Sequence, residues 1–439
     1  MNTTLQTTFL FLAMSTSTFF SPVISWAQDG SATDLRVTHG PLLGRPGPDT
    51  MSLWVRTERP GAVKVFYGIQ KETLNREASI KTTSLEHDYT GIITLNGLEA
   101  NTRYYYRIAD HQLSGSFRPL PKASEFMNPE GNPDGVFNFK FEFACGNNQN
   151  GGGNSAGPTV PVFDTLNQQV RDEVHFAILN GDWLYEQRRD YSPHSWLHQV
   201  GLDSMKEAPH VVQKAPSIVG VWENYKVFLE RGKNLSEWHR HIPSFYTADD
   251  HELLNDIYGA GETGYVNRRA VFRDIGTQAW FDYLAWANPV KHDQPAWFGT
   301  GELQAKSDIL EDPKADFTKL DFKQLANLHV HWGTTTAGVP DAGLDAQPGN
   351  PNAAVYEIVE VLSPTRLRIK PAAKAKGKAD YSIGRRCYGK FTVSNCDFFL
   401  LDTRSHRSLH NVDNPGNPCL LYTSPSPRDA HESRMPSSA

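Results

Sequence analysis

Short runs of alternating apolar and polar residues, separated by turn signals, fill residues 34–118. Strand candidates lie at residues 52–56, 63–67 and 87–95, and Arg59-Pro60-Gly61 forms a turn between the first two. Tyr104, Tyr106 and Ile108 share one face of a further strand, because side chains alternate across a strand. The pattern predicts a small all-β sandwich over residues 34–118.

The pattern changes after a connector rich in proline and glycine at residues 119–135. Phenylalanines alternate with polar residues over 137–143, a helix pattern follows at 159–170, and residues 174–179 form a mostly apolar run. Such a run suits a strand that is buried on both faces. Strand, helix and strand form a βαβ unit, so residues 136–418 are predicted to be an α/β domain of sheets with flanking helices.

Two more strand candidates, residues 244–248 and 397–401, continue this domain, with helix patterns at 222–229 and 277–287. An inserted β element is predicted at about residues 317–382, because its apolar residues alternate on both sides of a Ser-Pro turn. His329 and His331 lie in this insertion without an obvious partner in the sequence. We expect them to be solvated rather than metal ligands.

Four predicted strands of the α/β domain end in residues that are able to bind metal: Cys145, Asp182, Asp250 and Asp402. Ligands of open α/β sheets bind beyond the carboxyl ends of the strands, so these side chains should converge. Crowded carboxylates repel one another unless a cation lies between them. A bound cation also activates water and screens a phosphate, so metal-assisted hydrolysis is the leading reaction class.

Three ordered motifs and the cysteine resemble those of PhoD-like alkaline phosphatases, which are metallophosphoesterases. Residues 181–186 (Gly-Asp-Trp-Leu-Tyr-Glu) resemble the family's Gly-Asp-x-x-Tyr-Glu motif, and residues 249–252 resemble its Asp-Asp-His-Glu motif. Residues 401–404 resemble its Leu-Asp-Thr-Arg segment, and Cys145 matches the cysteine that opens its catalytic domain. The β-sandwich resembles the fibronectin-type III-like module that precedes this domain. The resemblance implies a catalytic domain of the metallo-dependent phosphatase type.

For the metals, the resemblance implies a mixed cluster of Fe³⁺ and Ca²⁺. Cys145, Asp182 and Tyr185 would bind the iron, because thiolate and tyrosinate ligands suit ferric iron. Asp182 would also bridge to calcium, which prefers hard oxygen ligands such as Asp250 and Asp402.

For catalysis, the resemblance implies attack by a metal-bound oxide or hydroxide without a covalent phosphoenzyme. His251 would contact the phosphate or assist the leaving group. Arg404 would steady a phosphate oxygen through its planar donor face or hold Asp402 in place. Asp249 is expected to cap a helix that begins near His251, because aspartate is favoured at that position.

The ends of the chain carry separate expectations. Residues 1–27 hold no charged side chain after Met1 and end in a small-residue pattern, which predicts a signal peptide and a secreted or periplasmic protein. Residues 419–439 are rich in serine and proline and predict a non-native or disordered tail. The late Gly-Asp-x-His motif of the family does not follow Arg407. The catalytic domain is therefore expected to be incomplete at its C-terminal end.

Composition narrows the classes of partner. The chain has 439 residues, a formal net charge of −6 and a pI near 6.2, so no general attraction for nucleic acid is expected. After the N-terminal segment, the sequence has no apolar stretch of about 18 residues or more, the length that could span a membrane. Four cysteines do not make a disulfide framework, although Cys387 and Cys396 flank a strand-like run and a pairing is left open.

The leading hypothesis is a secreted phosphatase or phosphodiesterase that acts as a monomer on small phosphate mono- or diesters. A variant of it is an enzyme of the same fold that acts on phospholipid or nucleotide esters, since no specificity pocket is recognisable. The alternative from another class is an extracellular binding protein whose sandwich attaches to a surface or polysaccharide and whose α/β domain is inactive. The phosphoesterase hypothesis predicts bound metal and acids that converge. The binding-protein alternative predicts neither.

Overall fold

The computed structural model describes residues 35–82, 85–108, 113–149, 157–255, 257, 259–266, 268–289, 295–331 and 349–407. All of these residues belong to one compact unit that begins at Leu35. The predicted signal peptide and the predicted tail lie outside the described residues. No described helix is both long and apolar enough to cross a membrane.

Two antiparallel sheets form the N-terminal part, and they share one hydrophobic core. Strands β1, β2 and β5 make the first sheet, and strands β4, β3, β6 and β7 make the second in that order. Tyr104, Tyr106 and Ile108 are buried on one face of β6, as alternation predicts. The predicted β-sandwich is therefore confirmed. The strands are β1 (Val37–Gly44), β2 (Met51–Thr57), β3 (Gly61–Gly68), β4 (Arg76–Thr82), β5 (Thr90–Leu95), β6 (Tyr104–Ile108) and β7 (Ser114–Phe117), with a 3-10 helix at Leu85–His87.

A parallel sheet with flanking helices follows. Strands β8 (Phe141–Ala144), β9 (Phe176–Asn180) and β10 (Ser244–Thr247) pair in the order β10, β9, β8. Leu179 of β9 lies opposite Ala144 of β8 and Tyr246 of β10, so all three strands end at the same edge. The helices are α1 (Val162–Gln169), α2 (Pro193–Val200), α3 (His210–Lys214), α4 (Ile218–Arg231), α5 (Lys233–His239) and α6 (Arg268–Tyr283), with 3-10 helices at Ala123–Glu125, Ala285–Ala287 and Phe317–Lys319.

The strand before Asp402 differs from the expectation. Strands β17 (Gly389–Val393) and β18 (Cys396–Leu400) form an antiparallel hairpin that does not pair with the parallel sheet. The hairpin packs on that sheet through aromatic rings, and the centroids of Phe391 and Phe245 are 3.9 Å apart. The expectation that Asp402 ends a strand of the parallel sheet is therefore wrong. Cys387 and Cys396 are free thiols, so the pairing left open by the sequence is not formed.

Six strands between α6 and the hairpin close into a barrel with its own apolar core. The barrel extends beyond the predicted insertion on both sides. His329 and His331 lie on its α6 side and are fully buried, so the expectation that they are solvated is wrong. The partners of His329 come from distant parts of the chain. The barrel strands are β11 (Trp297–Leu303), β12 (Ile309–Glu311), β13 (Leu325–Val330), β14 (Ala354–Ser363), β15 (Arg366–Lys370) and β16 (Gly377–Arg385).

A buried ion pair joins the sandwich to the helices of the α/β part. Asp88 is fully buried and accepts hydrogen bonds from Nε and Nη2 of Arg56, at 3.0 and 2.9 Å. Tyr283 at the end of α6 donates to the same carboxylate, and Lys226 Nζ of α4 lies 3.6 Å away. Burial alone would raise the pKa of Asp88, but Lys226 and Arg56 outweigh it and hold that pKa well below its usual range.

Asp88→Asn tests the value of this pair, and asparagine also tolerates the φ of +49° at this position. Because the pKa of Asp88 is lower in the folded than in the unfolded state, the stability it contributes is present above about pH 4 and is lost as the pH falls towards the folded value. We expect the variant to lose about 3–5 kcal/mol of unfolding free energy at neutral pH. The difference between parent and variant should shrink below about pH 4. Urea denaturation at several pH values measures the loss at neutral pH and its decrease at low pH. A difference in stability that does not change with pH would contradict the lowered pKa of Asp88.

Candidate metal centre

The loops that follow β8, β9 and β10 touch one another at the common edge of the sheet. Gly146 N donates to Gly181 O at 3.3 Å, and Asn147 N donates to Asp182 O at 2.7 Å. A Cβ on Gly181 would lie 2.7 Å from the Cβ of Asp249. The three strand ends therefore bring their following residues into direct contact, as expected for parallel strands.

Three of the predicted site residues form one cluster at this edge. A carboxylate oxygen of Asp182, a carboxylate oxygen of Asp250 and a ring nitrogen of His251 all lie within 4.8 Å of one another. Asp250 is buried, and the other two are partly buried. Two carboxylates and an imidazole in this arrangement make a candidate metal centre, which we call the Asp182–Asp250–His251 cluster.

Asp182 occupies the most constrained position of the cluster. Its Oδ2 accepts a hydrogen bond from Tyr185 OH at 3.0 Å, and its Oδ1 is buried without a hydrogen-bond partner among the described residues. Burial raises the pKa of Asp182, and the charges of Asp250 and Asp249 raise it further. Its φ of +53° is in the left-handed region, which is strained for a residue with a Cβ. A cation would satisfy the unpartnered oxygen and relieve the crowding of negative charge.

His251 is oriented by an acidic partner. Its Nδ1 lies 2.6 Å from Oε2 of Glu186, whose other oxygen accepts from Asn255 N at 2.6 Å. Burial lowers the pKa of His251, but Glu186, Asp250 and Asp182 outweigh burial and the net shift is upwards. The hydrogen bond at Nδ1 leaves Nε2 as the nitrogen available to a cation or a substrate, which is how carboxylates orient histidine ligands.

Glu252 holds two of the loops together, a role that the sequence did not reveal. Its fully buried carboxylate accepts hydrogen bonds from Trp183 N at 2.5 Å, Asp249 N at 2.8 Å and Asp182 N at 3.2 Å. Burial raises its pKa to about 7. The only signal in the sequence was the position of Glu252 in the Asp-Asp-His-Glu motif, because its partners are peptide N–H groups that carry no sequence signature.

Cys145 and Tyr185 lie beside the cluster, and the Tyr185 ring packs on His251 with ring centroids 4.0 Å apart. The Cys145 thiol is exposed, and burial together with the charges of Asp182, Asp249 and Glu252 raises its pKa. Tyr185 OH lies 4.0 Å from the position that a Cβ on Gly146 would take, next to Cys145. Burial and Asp182 raise the pKa of Tyr185. Both groups are therefore held in their protonated forms at neutral pH unless positive charge is added.

Asp402 is not part of the cluster in the described structure. Its Oδ1 accepts from the backbone N–H groups of Arg404 and Ser405, at 3.1 and 2.8 Å. Its charge acts on the Cys387 thiol and raises the pKa of that group, although burial is the larger cause. Its other carboxylate oxygen, Oδ2, is buried without a hydrogen-bond partner among the described residues. Asp402 thus shapes the segment that carries Arg404, and its implied calcium role stays a prediction.

Arg404 contacts the acids rather than open solvent. Its Nε donates to Asp249 Oδ1 at 2.6 Å, its Nη1 donates to Ile257 O at 3.2 Å, and its Nη2 lies 3.8 Å from Asp250 Oδ1. The expectation that Asp249 caps a helix is wrong, because the residues after it form a turn closed by Leu253 N and Asp250 O at 2.8 Å. Asp249 instead pairs with Arg404.

Two family models match the chain. Residues 24–121 match the model described as PhoD-like phosphatase, N-terminal domain, and residues 140–330 match the model described as PhoD-like phosphatase. The second match includes Cys145, Tyr185 and the whole Asp182–Asp250–His251 cluster. No curated protein matches the chain.

Among solved structures, the chain is similar to a structure of PhoD at 17% identity and a TM-score of 0.42. The match covers 61% of this chain and 48% of that one, so the chain spans about half the length of that protein. A redesigned β-sandwich protein matches at 19% identity and a TM-score of 0.15, over 19% of this chain and 92% of that chain. The sensor domain of the anti-sigma factor RsgI4 in Pseudobacteroides cellulosolvens matches at 12% identity and a TM-score of 0.16, over 21% of this chain and all of its own.

Gly181→Ala tests whether contact between the loops defines the centre, and Gly201→Ala is its matched control. The two glycines have φ values of +75° and +73°, but a Cβ at Gly201 would meet nothing within 4 Å. We expect the control to lose about 1–2 kcal/mol of unfolding free energy from the left-handed backbone. Gly181→Ala should lose about 1–3 kcal/mol more, because its Cβ collides with Asp249. If chemical denaturation shows that both variants lose the same unfolding free energy, the contact between Gly181 and Asp249 is not tight.

Proposed function

The chain belongs to the PhoD-like phosphatase family, and on that premise we propose that it is a secreted, metal-dependent hydrolase of phosphate esters. The observation that carries the proposal is the Asp182–Asp250–His251 cluster, in which Asp182 Oδ1 is buried without a partner among the described residues. Buried polar atoms normally have partners, so such an atom between acidic groups favours a bound cation.

The chemistry of the donors fits the implied metals. Carboxylate oxygens of Asp182 and Asp250 are ligands that Ca²⁺ prefers. Cys145 and Tyr185 would serve Fe³⁺ as thiolate and tyrosinate. Nearby positive charge would oppose the burial and the negative charges that now raise their pKa values. Asp182 lies beside both sets, which supports a shared ligand. Bound cations would supply activation of water at neutral pH and neutralisation of the phosphate charge.

The residues of the chain itself would bind and orient the substrate. His251, fixed at Nδ1 by Glu186, would offer Nε2 to a phosphate oxygen or protonate the leaving oxygen. Arg404 was predicted to contact the phosphate or to hold Asp402. Its ion pair with Asp249 and its approach to Asp250 favour a third role, in which it positions the acids of the centre.

The substrate is proposed to be a small phosphate mono- or diester, hydrolysed by a monomer outside the cytoplasm. The net charge of −6 favours local recognition of phosphate over general attraction for polyanions. The alternative, an extracellular binding protein with an inactive α/β domain, predicts acids that do not converge. No specific contact of the described residues favours that alternative.

Elemental analysis combined with hydrolysis of aryl phosphate mono- and diesters tests the proposal. We expect iron and calcium in the purified protein, and turnover that disappears on chelation and returns when the metals are restored. The relative rates for the two ester types decide between phosphatase and phosphodiesterase. Metal-free protein, or turnover that chelators leave unchanged, would refute the proposal.

Asp182→Ala gives a narrower test of the shared ligand. We expect turnover to fall to less than about a tenth of the parent rate together with a loss of bound metal, because a neighbouring carboxylate cannot replace a bridging ligand. Asp172→Ala is the control, since this side chain is 74% exposed and pairs with Arg103 at 2.9 Å. The control should keep the parent's metal content and rate. Parent-like metal content in Asp182→Ala would contradict the ligand role.

A further inference from the structure

Helix α6 carries a second buried ion pair, which lies between the barrel and the α/β part. Arg273 and Asp274 are both fully buried, and Arg273 Nε donates to Asp274 Oδ1 at 2.7 Å. A buried ion pair of this kind contributes little net stability relative to apolar residues of the same size. Its role must therefore be inferred from the residues that it contacts.

On one side, the pair is bound to the barrel. Asp274 Oδ2 lies 3.0 Å from His329 Nδ1 on β13 and accepts from Ser382 Oγ on β16 at 2.6 Å. Arg273 Nη2 donates to Asn327 O on β13 at 3.0 Å. Two neighbouring barrel strands are therefore tied to consecutive residues of one helix.

On the other side, the pair reaches the segment that carries Arg404. Arg273 Nη1 donates to Ser405 O at 2.9 Å. The N–H groups of Ser405 and Arg404 both donate to Asp402 Oδ1, which closes a tight turn. The Arg404 side chain then binds Asp249 and approaches Asp250. Hydrogen bonds, the backbone between Ser405 and Arg404, and ion pairs thus connect the barrel to Asp249 and Asp250.

Close backbone packing makes the route rigid. A Cβ on Gly276 of α6 would lie 2.6 Å from Leu253 Cα, in the turn that follows Asp250. A Cβ on Gly261 would lie 2.5 Å from the carbonyl carbon of His406. Any shift of α6 relative to these segments therefore displaces the residues next to the cluster, because packed interiors transmit strain.

We propose that Arg273 and Asp274 are positioning residues that couple the barrel to the Asp249–Asp250 side of the candidate metal centre. The consequence for metal binding rests on the proposed function, whereas the mechanical coupling does not. The barrel is then a part of the machinery that sets the geometry of the acids. The rival explanation is that the pair only attaches the barrel to the rest of the fold.

Hydrogen–deuterium exchange on the metal-free protein tests the coupling. Ser382→Ala removes one barrel contact of Asp274, and Arg273→Met removes the bonds to Ser405 and Asn327. Ser52→Ala is the control, because it removes a comparable buried hydroxyl, which bonds Thr94 within the sandwich at 2.8 Å. We expect both test variants to speed exchange at the amides of Asp249, Leu253 and Ser405, while the control leaves those amides at parent rates.

Calorimetric titration with Ca²⁺ provides the second readout. We expect Arg273→Met to weaken Ca²⁺ binding by about tenfold or more, the range found when a residue that orients metal ligands is changed. Ser382→Ala should give a smaller loss, and Arg273→Lys should restore part of the affinity. If Arg273→Met does not fold, the Ca²⁺ affinities of Ser382→Ala and Arg273→Lys are compared with that of the parent instead.

Faster exchange confined to the barrel strands, with the amides near the cluster unchanged, would overturn the proposal and favour simple attachment. A loss of Ca²⁺ affinity in Ser52→Ala as large as that in the test variants would also overturn it. A parent protein that binds no Ca²⁺ would refute the proposed function, while the exchange experiment would still decide the coupling.

Discussion

The mutual repulsion of Asp182 and Asp250 is the constraint on which the rest of the structure depends. Their carboxylates and the His251 ring lie within 4.8 Å of one another at the edge of a parallel sheet. Holding like charges at this distance requires surrounding structure that prevents their separation. The left-handed backbone of Asp182 adds strain of about 1–3 kcal/mol, which persists only where the surroundings enforce it.

Three sets of contacts provide that enforcement. Glu252 gathers N–H groups from the loops after β9 and β10 into one buried carboxylate. Glu186 fixes the ring of His251. Arg404 neutralises Asp249 and brings the Asp402 segment against the same loops. The fold around the centre is therefore arranged to keep acids close together, and a cation would balance their charge.

Much of this could be predicted from the sequence. The apolar run before Asp182 predicted a buried strand, and the carboxyl-end rule then placed Asp182 and Asp250 together. The strand before Asp402 was assigned to the parallel sheet, but it belongs to an antiparallel hairpin. The sequence pattern of one strand does not distinguish these two settings. The burial of His329 could not be predicted, since its partner Asp274 is 55 positions away along the chain. The motif contained Glu252, but its role could not be predicted because its carboxylate binds backbone N–H groups.

Anomalous X-ray scattering from crystals soaked in Mn²⁺ tests the central claim most directly, because it locates a cation without relying on turnover. We predict a peak at the Asp182–Asp250–His251 cluster, with carboxylate oxygens of Asp182 and Asp250 at about 2.0–2.6 Å from the ion, the range of hard cations with oxygen ligands. Ordered crystals that show Mn²⁺ elsewhere, with the two carboxylates in place and no anomalous density between them, would contradict the claim.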